Sequence, residues 1–238
     1  MNTRTSASRR LAAFTLIELI TVIAIICILM GLLFPVIASV RHSGRVSKAR
    51  TVAATIVNAC KNYANDYGNF PPIAAARSGG GNGSDDSAED PIYYSYGDTE
   101  VGKCKVTNEQ LFDVLRAIDH ASNAGHALNR RRQVYFDDRT VGNGNPPRDG
   151  FADGKDFPEA IRGRLFDPWG MQYCIVLDAD GDGFLKLDDF FQDLTDINRN
   201  AAVVFSMGAN AVIGGKGYAG RLRRERSGEA PEDIVSWE

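Results

Sequence analysis

The chain has little of what marks several large classes of protein. Four cysteines in 238 residues, at positions 27, 60, 104 and 174, are too few for a disulfide-dense scaffold. The net charge of −3 argues against nucleic-acid binding through overall charge, and we expect no nucleic-acid partner. The 44% apolar content argues against intrinsic disorder. Composition alone therefore indicates an ordinary globular protein of one or two domains.

Sequence signatures of catalysis are also missing. The three histidines, at positions 42, 120 and 126, do not form H-E-x-x-H or another metal spacing. The G-G-K-G run at 214–217 lacks the first glycine and the following Ser or Thr of a phosphate-binding loop. No G-x-S-x-G motif occurs. We therefore predict that the protein is not an enzyme.

One long apolar run is present near the N-terminus. Of the 27 residues from 14 to 40, 21 are apolar and only Glu18 is charged. This length predicts a single transmembrane helix. A buried core helix rarely stays apolar on every face for so long, and the run exceeds the apolar part of a secretory signal. Basic residues precede and follow the run in similar numbers, so charge does not fix its orientation.

Glu18 is the exception within this run. A carboxylate in an apolar helix costs about 2.5–3.5 kcal/mol at the membrane centre and less near the interface. The residues four positions before and after it, Phe14 and Val22, carry no charge. Glu18 is therefore a candidate functional residue.

The predicted helix continues beyond the apolar run. Apolar residues then recur at i, i+3, i+4 and i+7 as far as Tyr67, and Gly68 is a plausible end. The pattern predicts one helix over 15–67, about 80 Å long at ~1.5 Å per residue. Pro35 is expected to kink it or melt it locally. The first half suits a membrane or a filament core, and the second half suits attachment of a globular domain.

The sequence that follows the long helix predicts loops, one short helix and a few strands. Residues 73–91 and 140–157 are expected to be loops, and 107–121 a helix capped by Thr107 or Asn108. The D-P-W-G sequence at 167–170 predicts a turn. The expected strands are 172–177 and 201–205.

An aspartate-rich segment follows the first of these strands. Its spacing fits a twelve-residue calcium loop, with Gly183 at position 6 and an apolar residue at position 8. The candidate ligands are the side chains of Asp178, Asp180, Asp182 and Asp189 and the carbonyl of Phe184. Asp189 stands where an EF-hand has Glu, and Lys186 at position 9 cannot bind a cation. Calcium is the expected cofactor, and a hairpin turn without metal is the alternative.

The positions of the cysteines do not determine which of them form a disulfide. Cys27 lies in the apolar run, and any pair among Cys60, Cys104 and Cys174 leaves an odd thiol. Cys60 falls on the apolar face of the helix and is expected to be packed rather than bonded.

Residues 9–20, RRLAAFTLIELI, resemble the prepilin leader and cleavage motif of type IV pilins and type II secretion pseudopilins. In that family a basic leader is cut just before a Phe, which is then methylated, and Glu is the fifth mature residue. The resemblance implies cleavage between Ala13 and Phe14, and Ala13 replaces the usual Gly with another small residue. It also implies assembly through Glu18, which pairs with the N-terminal amine of a neighbouring subunit. Pro35 matches the proline common at mature position 22.

Four further segments resemble G-type (major) pseudopilins. They are YANDYGNFP at 63–71, DPWGMQY at 167–173, FSMGAN at 205–210 and EDIVSW at 232–237. The resemblance implies an α+β, pilin-like fold in which one long N-terminal helix packs on a small antiparallel sheet. Residues 73–164 have no counterpart in it. The family's calcium site is doubtful here, because its acidic Gly-Ala-Asp becomes Gly208-Ala209-Asn210 and an Arg-rich insert follows.

The resemblance divides the chain into a leader (1–13), a transmembrane and filament-core helix (14–40), its amphipathic continuation (41–72) and an extracytoplasmic domain (73–238). It implies a type II secretion pseudopilus subunit that helps to move exoproteins across the outer membrane. The expected partners are further copies of the chain, a prepilin peptidase and methyltransferase, other pseudopilins and an inner-membrane platform. The expected location is the bacterial inner membrane, with one span and a periplasmic domain. The alternatives are a type IV pilin for adhesion, motility or DNA uptake, and a membrane-anchored calcium-binding module that never polymerises.

Overall fold

The structure is a computed structural model that describes residues 16–78, 93–99, 104–142, 144–181, 183, 185, 201–208 and 234–236. The chain divides into two compact units, residues 1–44 and 45–238. Helix α1, Leu16–Tyr67, contributes to both units.

Helix α1 confirms the predicted helix over the residues that the structure describes. The helix is continuous through Pro35, so it does not melt there, and the alternative expectation of a kink stays a prediction. A proline removes only one backbone donor, and the hydrogen bonds of the flanking turns keep the helix continuous. The helix ends at Gly68, whose φ of +85° favours glycine and whose N–H donates to the Ala64 carbonyl at 2.8 Å.

The second unit contains an antiparallel sheet in which the described strands lie in the order β1-β2-β5-β6-β7. These strands are β1 (Arg77–Ser78), β2 (Tyr93–Tyr96), β5 (Cys174–Asp178), β6 (Ala202–Ser206) and β7 (Ile234–Val235). The central pair β5–β6 joins Ile175 to Val204, and β2 joins Tyr96 to Ile175. Both predicted strands are confirmed with a shift of one or two residues, and the C-terminal segment joins the sheet as the resemblance implied.

Helix α2, Glu109–Leu115, is shorter than the predicted 107–121. It ends because Ala117 takes the left-handed conformation (φ +55°) and Ile118 donates its N–H back to the Asp113 carbonyl at 2.8 Å. The capping prediction was also wrong, since no side chain caps this helix. Asn108 is buried instead and donates from Nδ2 to the carbonyls of Leu165 and Tyr173.

Two predicted loops contain regular structure. Residues 73–78 hold a 3₁₀ turn, Ala74–Ala76, and strand β1. The 140–157 segment contains β3 (Gly150–Phe151), which pairs with β4 (Leu165–Phe166) in a two-stranded sheet. Strands of two residues carry too few side chains for a period-two pattern to be recognised. Two further short segments contain 3₁₀ turns, Ala121–His126, which is interrupted at Asn123–Gly125 and contacts α2, and Glu159–Ile161.

The core of the second unit lies between α1 and one face of the larger sheet. The apolar stripe of α1 is buried as predicted, and β5 and β6 contribute alternate residues to the same cluster. The helix residues are Ala49, Ala53, Ile56, Ala59, Cys60 and Tyr63, and the sheet residues include Tyr96, Ile175, Leu177, Ala202 and Val204. The α+β architecture, with a long helix on a small antiparallel sheet, is thus confirmed.

Candidate functional site

The described part of the first unit is an exposed apolar helix. The large apolar side chains described between Leu16 and Val40 are 38–75% exposed. The stretch Leu16–Leu33 has a mean hydropathy of 2.9, and none of it is buried. At ~1.5 Å per residue these 18 residues nearly match a bilayer core of ~30 Å. The helix is therefore long and apolar enough to cross a membrane once.

Glu18 lies in the first turn of α1, where the helix dipole favours a negative charge. The next polar side chain after Glu18 along α1, Thr21, is satisfied within the helix because its hydroxyl donates to the Ile17 carbonyl at 2.8 Å. Ala13 and Phe14, the predicted cleavage residues, lie outside the described residues. Pro35 lies within α1, and its role in assembly stays a prediction.

The aspartate loop begins at the end of β5, inside the second unit. The Asp178 carboxylate accepts backbone N–H groups from Asp180 (3.1 Å) and Gly181 (2.8 Å) on Oδ1, and from Gly183 (2.8 Å) on Oδ2. Gly181 and Gly183 have φ values of +79° and +80°, which glycine accepts readily. The loop therefore folds around the Asp178 carboxylate.

The electrostatics of this loop are set by burial and by a second carboxyl group. Burial raises the pKa of Asp178, the nearby Asp180 carboxyl raises it further, and the Gly181 and Gly183 amides lower it. Two carboxyls this close disfavour the doubly ionised state that calcium needs, and a bound cation would offset that repulsion.

The structure brings together two of the predicted calcium ligands, Asp178 and Asp180. The other three, Asp182, Phe184 and Asp189, lie outside the described residues. Within the part of the chain that is described, no group of three or more His, Cys, Asp or Glu side chains is placed to hold a metal. The calcium site stays a prediction.

The aspartate loop also lines a groove of about 520 Å³. Its opposite wall is the end of α1, which contributes Lys61 and Asn65, and the segment after the helix, which contributes Asn69. Tyr94 of β2 completes the lining. The loop is therefore next to the end of the long helix within the second unit.

Asp167 has a structural role larger than its place in the predicted turn indicates. Its Oδ1 accepts the N–H groups of Trp169, Gly170 and Met171 at 2.8–2.9 Å, and its Oδ2 accepts the hydroxyl of Ser206 at 2.5 Å. The carboxylate thus joins the predicted turn to strand β6. Asp at the first position of a turn was a signal for the backbone bonds. The bond to Ser206 spans 39 positions and had no local signal.

Comparison with known proteins supports one part of the chain. Residues 8–34 match the Prokaryotic N-terminal methylation motif. No curated protein and no solved structure gave a match. The matched residues include both predicted cleavage residues, Glu18 and most of the exposed apolar helix. The motif implies processing by a prepilin peptidase and anchoring by a single span, and it indicates a subunit of the pilin or pseudopilin type that assembles into pilus-like filaments.

Proposed function

We propose that the chain is a structural subunit of a type II secretion pseudopilus. Its first unit would hold the subunit in the inner membrane and then form the filament core, and its second unit would lie on the periplasmic side. The observation that carries this proposal is the exposure of every large apolar side chain described between Leu16 and Val40, within and beyond a matched methylation motif.

The exposed helix requires an apolar environment. Covering a Leu or Ile side chain contributes about 1.5–3 kcal/mol relative to leaving it in water. A bilayer supplies that cover before assembly, and the same helices of neighbouring copies supply it in a filament. The two environments are interchangeable for the apolar residues but not for Glu18. Its carboxylate is unfavourable in lipid and is neutralised when the Phe14 amine of another copy lies beside it.

Filament assembly by a Glu18→Gln variant tests this registration. The substitution keeps the shape of the side chain and removes its charge, so it leaves the neighbouring amine without its carboxylate. Removing one partner of a buried ion pair costs about 3–5 kcal/mol. We expect normal cleavage and membrane insertion but loss of filaments, measured by electron microscopy and by cross-linking between subunits.

Thr21→Val is the matched control. It removes a polar group one turn away whose hydrogen bond stays within its own helix. This variant should assemble normally. Wild-type filament yield from Glu18→Gln would contradict the registration and would favour a membrane-anchored module that does not polymerise.

Deletion of the gene separates the two filament systems. A pseudopilus subunit is expected to be required for the release of exoproteins, measured by comparing secreted proteins of the deletion strain and the complemented strain. Loss of twitching, adhesion or DNA uptake with normal secretion would support a type IV pilin instead. The G-type segments at 63–71, 167–173, 205–210 and 232–237 favour the secretion system.

We also propose that the loop from Asp178 to Asp189 binds calcium. The support is the twelve-residue spacing together with the folded first half of the loop, where the backbone wraps the Asp178 carboxylate and the Asp180 carboxyl lies beside it. A divalent cation would neutralise both groups. Sites of this kind in extracellular modules have dissociation constants of about 10⁻⁴–10⁻³ M.

Calorimetry on the purified full chain in detergent tests the calcium proposal. Wild type should release or absorb heat on titration with millimolar calcium, and Asp180→Asn should weaken binding at least tenfold. Asp156→Asn, at an exposed site away from the loop, is the control and should bind like wild type. No heat from wild type at millimolar calcium would contradict the proposal.

A further inference from the structure

Two buried cysteines, Cys104 and Cys174, meet beside Gly97. A side-chain Cβ placed on Gly97 would lie 2.9 Å from the sulfur of Cys104 and 2.9 Å from the sulfur of Cys174. Both sulfurs therefore occupy the space that the missing side chain leaves. The φ of +150° at Gly97 is also one that residues with a side chain rarely adopt.

The fold brings these residues together from distant parts of the sequence. Tyr96 pairs with Ile175 across β2 and β5, which places Gly97 opposite Cys174. The chain then turns back, with the Gly97 N–H donating to the Val106 carbonyl at 2.8 Å and the Cys104 N–H donating to the Asp98 carbonyl at 3.1 Å. Cys104 is thereby held over the end of β5.

The two thiols are in contact and shielded from water. Cys104 is 4% exposed and Cys174 is fully buried. A hydrogen bond with the Cys174 thiol, followed by burial, raises the pKa of Cys104. Cys104 is thus close to Cys174 and un-ionised in the reduced form, and its burial keeps it inert toward reagents in solution once the domain is folded.

The other cysteines are held apart from this pair. Cys60 lies in the core between α1 and the sheet, on the face that also receives Ile175 and Leu177. Cys174 precedes Ile175 in β5, so its side chain points to the opposite face. Cys27 lies in the first unit and is exposed. The structure therefore distinguishes among pairings that the sequence left open.

We propose that Cys104 and Cys174 form a structural disulfide that fastens the segment after β2 to strand β5. The proposal rests on the proposed function in one respect, since it requires the second unit to fold on the oxidising side of the membrane. The oxidant is a disulfide of a dithiol oxidoreductase. One cysteine thiolate attacks that disulfide and forms a mixed disulfide, releasing the first oxidant thiolate.

The second cysteine thiolate then attacks the mixed disulfide at the sulfur that belongs to this chain and releases the second oxidant thiolate. One S–S bond forms here and one breaks in the oxidant. The two thiol protons pass to the oxidant's sulfurs. The two cysteines are oxidised, and the oxidoreductase is reduced to a dithiol. The exchange takes place during folding, before the pair is buried.

The pairing is tested on the purified full chain in detergent. The protein is reduced, unfolded and refolded in a buffer of oxidised and reduced glutathione, then denatured and treated with a maleimide to count free thiols by mass spectrometry. We expect four free thiols after reduction and two after refolding, with a peptide map that links Cys104 to Cys174. Four remaining thiols, or a link that includes Cys60, would overturn the proposal.

Two variants sharpen the result. Cys104→Ala should lose the link and unfold at a lower denaturant concentration than oxidised wild type, at a midpoint close to that of reduced wild type. Cys60→Ala, the other buried cysteine, should keep the link. If Cys104→Ala keeps an internal disulfide between Cys60 and Cys174, the assignment is wrong.

A cellular measurement separates this proposal from the proposed function. Thiols are blocked at harvest, and protease added to spheroplasts reports whether the second unit faces outward. A link together with protease sensitivity supports both proposals. Four free thiols in a protease-sensitive protein would overturn the disulfide alone. Four free thiols in a protease-protected protein would overturn the proposed location, and the glutathione experiment would still decide the pairing.

Discussion

The two units of this protein use the same helix in opposite ways. In the first unit the large apolar side chains of α1 are 38–75% exposed, whereas in the second unit the buried face of α1, from Ala49 to Tyr63, is at most 2% exposed. The two parts of the helix differ in the amount of apolar residue, 21 of 27 residues from 14 to 40 against 12 of 23 from 45 to 67, and in its pattern. A helix that is apolar on every face needs cover all around it, as in a membrane or in the core of a large protein, whereas a single stripe is covered by packing on one side. The apolar side chains of α1 in the first unit are therefore exposed, whereas the apolar face of α1 in the second unit is covered within that unit.

The largest effect is expected when two isoleucines of α1, one in each unit, are compared. Ile56→Ala removes a fully buried side chain and should lower the free energy of unfolding by about 4 kcal/mol, since a cavity remains in the core. Ile23→Ala removes a side chain that is 51% exposed and should change it by less than about 0.5 kcal/mol. Denaturant unfolding of the full chain in detergent, followed by tryptophan fluorescence, measures both.

Equal losses in the free energy of unfolding from the two substitutions would contradict the difference between the exposed and the buried part of α1. Such a result would mean that the first unit folds against the second in detergent. Filament yield should respond in the opposite way. Ile23→Ala should lower it more than Ile56→Ala, because Ile23 would contact neighbouring copies in the proposed filament.

The second test concerns the polar interior of the second unit. Asp167→Ala removes the acceptor of three partly buried backbone amides in the turn and of the buried Ser206 hydroxyl on β6. The expected loss is about 3 kcal/mol, because buried donors without acceptors are costly. Asp119→Ala is the control. Its carboxylate is exposed and accepts the Gly125 amide, so a loss below about 1 kcal/mol is expected. Similar losses from both variants would contradict a special role for Asp167.

Asp167 also predicts a pH dependence. Burial raises its pKa above the unfolded value of about 3.9, even though Ser206 and the turn amides lower it. Between the two pKa values the folded protein holds more protons than the unfolded chain, so this contribution to stability falls as pH rises. It is fully present below the unfolded pKa and is lost as pH passes the folded pKa. The stability of wild type relative to Asp167→Asn should therefore decrease over this window. An increase would show that the hydrogen bonds outweigh burial.

Local patterns predicted the elements of this protein better than they predicted its long-range polar contacts. The helix α1, its end at Gly68 and the strands around Cys174 and Ala202 follow from periodicity and glycine placement. The early end of α2 does not, because it depends on a left-handed Ala117 where a glycine would have been the usual signal. The buried amide of Asn108 bonds to carbonyls more than 50 positions away, and no spacing rule reaches that far.

The candidate sites also differ in whether they depend on local patterns or on long-range contacts. The methylation motif is a contiguous local pattern, so it could be recognised together with Glu18 from the sequence. The meeting of Cys104 and Cys174 depends on the register of β2 against β5 and on the missing side chain at Gly97. Neither condition can be read from the cysteine spacing.

A smaller effect is expected where an ion pair lies at the edge of the core of the second unit. Arg116 donates from both terminal nitrogens to the Asp153 carboxylate, at 3.1 and 2.7 Å, and its guanidinium lies 3.9 Å from the centre of the Phe151 ring. Arg116→Lys keeps the charge but loses the two-point contact and the flat stacking. We expect a loss of about 1–2 kcal/mol in the free energy of unfolding. Arg132→Lys, at an exposed position, should have no measurable effect, and an equal loss there would contradict the geometric explanation.

The smallest expected effect lies where the core begins along α1. Lys48 immediately precedes Ala49, the first fully buried residue of the helix, and its ammonium lies 2.7 Å from the Asp149 carboxylate. The two side chains are 40% and 22% exposed, so water and salt screen the pair. Lys48→Met keeps most of the apolar stem and should lose less than about 1 kcal/mol at low salt. The loss should vanish in 1 M NaCl, where the Debye length is about 3 Å.

A loss that persists at high salt would mean that Lys48 acts through packing rather than through charge. The buried face of α1 would then begin one residue earlier than Ala49, and the change from exposed to buried helix would be set by apolar contact alone. A loss that disappears with salt would instead place a screened ion pair at the edge of the core. In that case the second unit begins with a charged contact. The apolar residues that follow in α1 would then contribute more to the stability of the unit than this ion pair does.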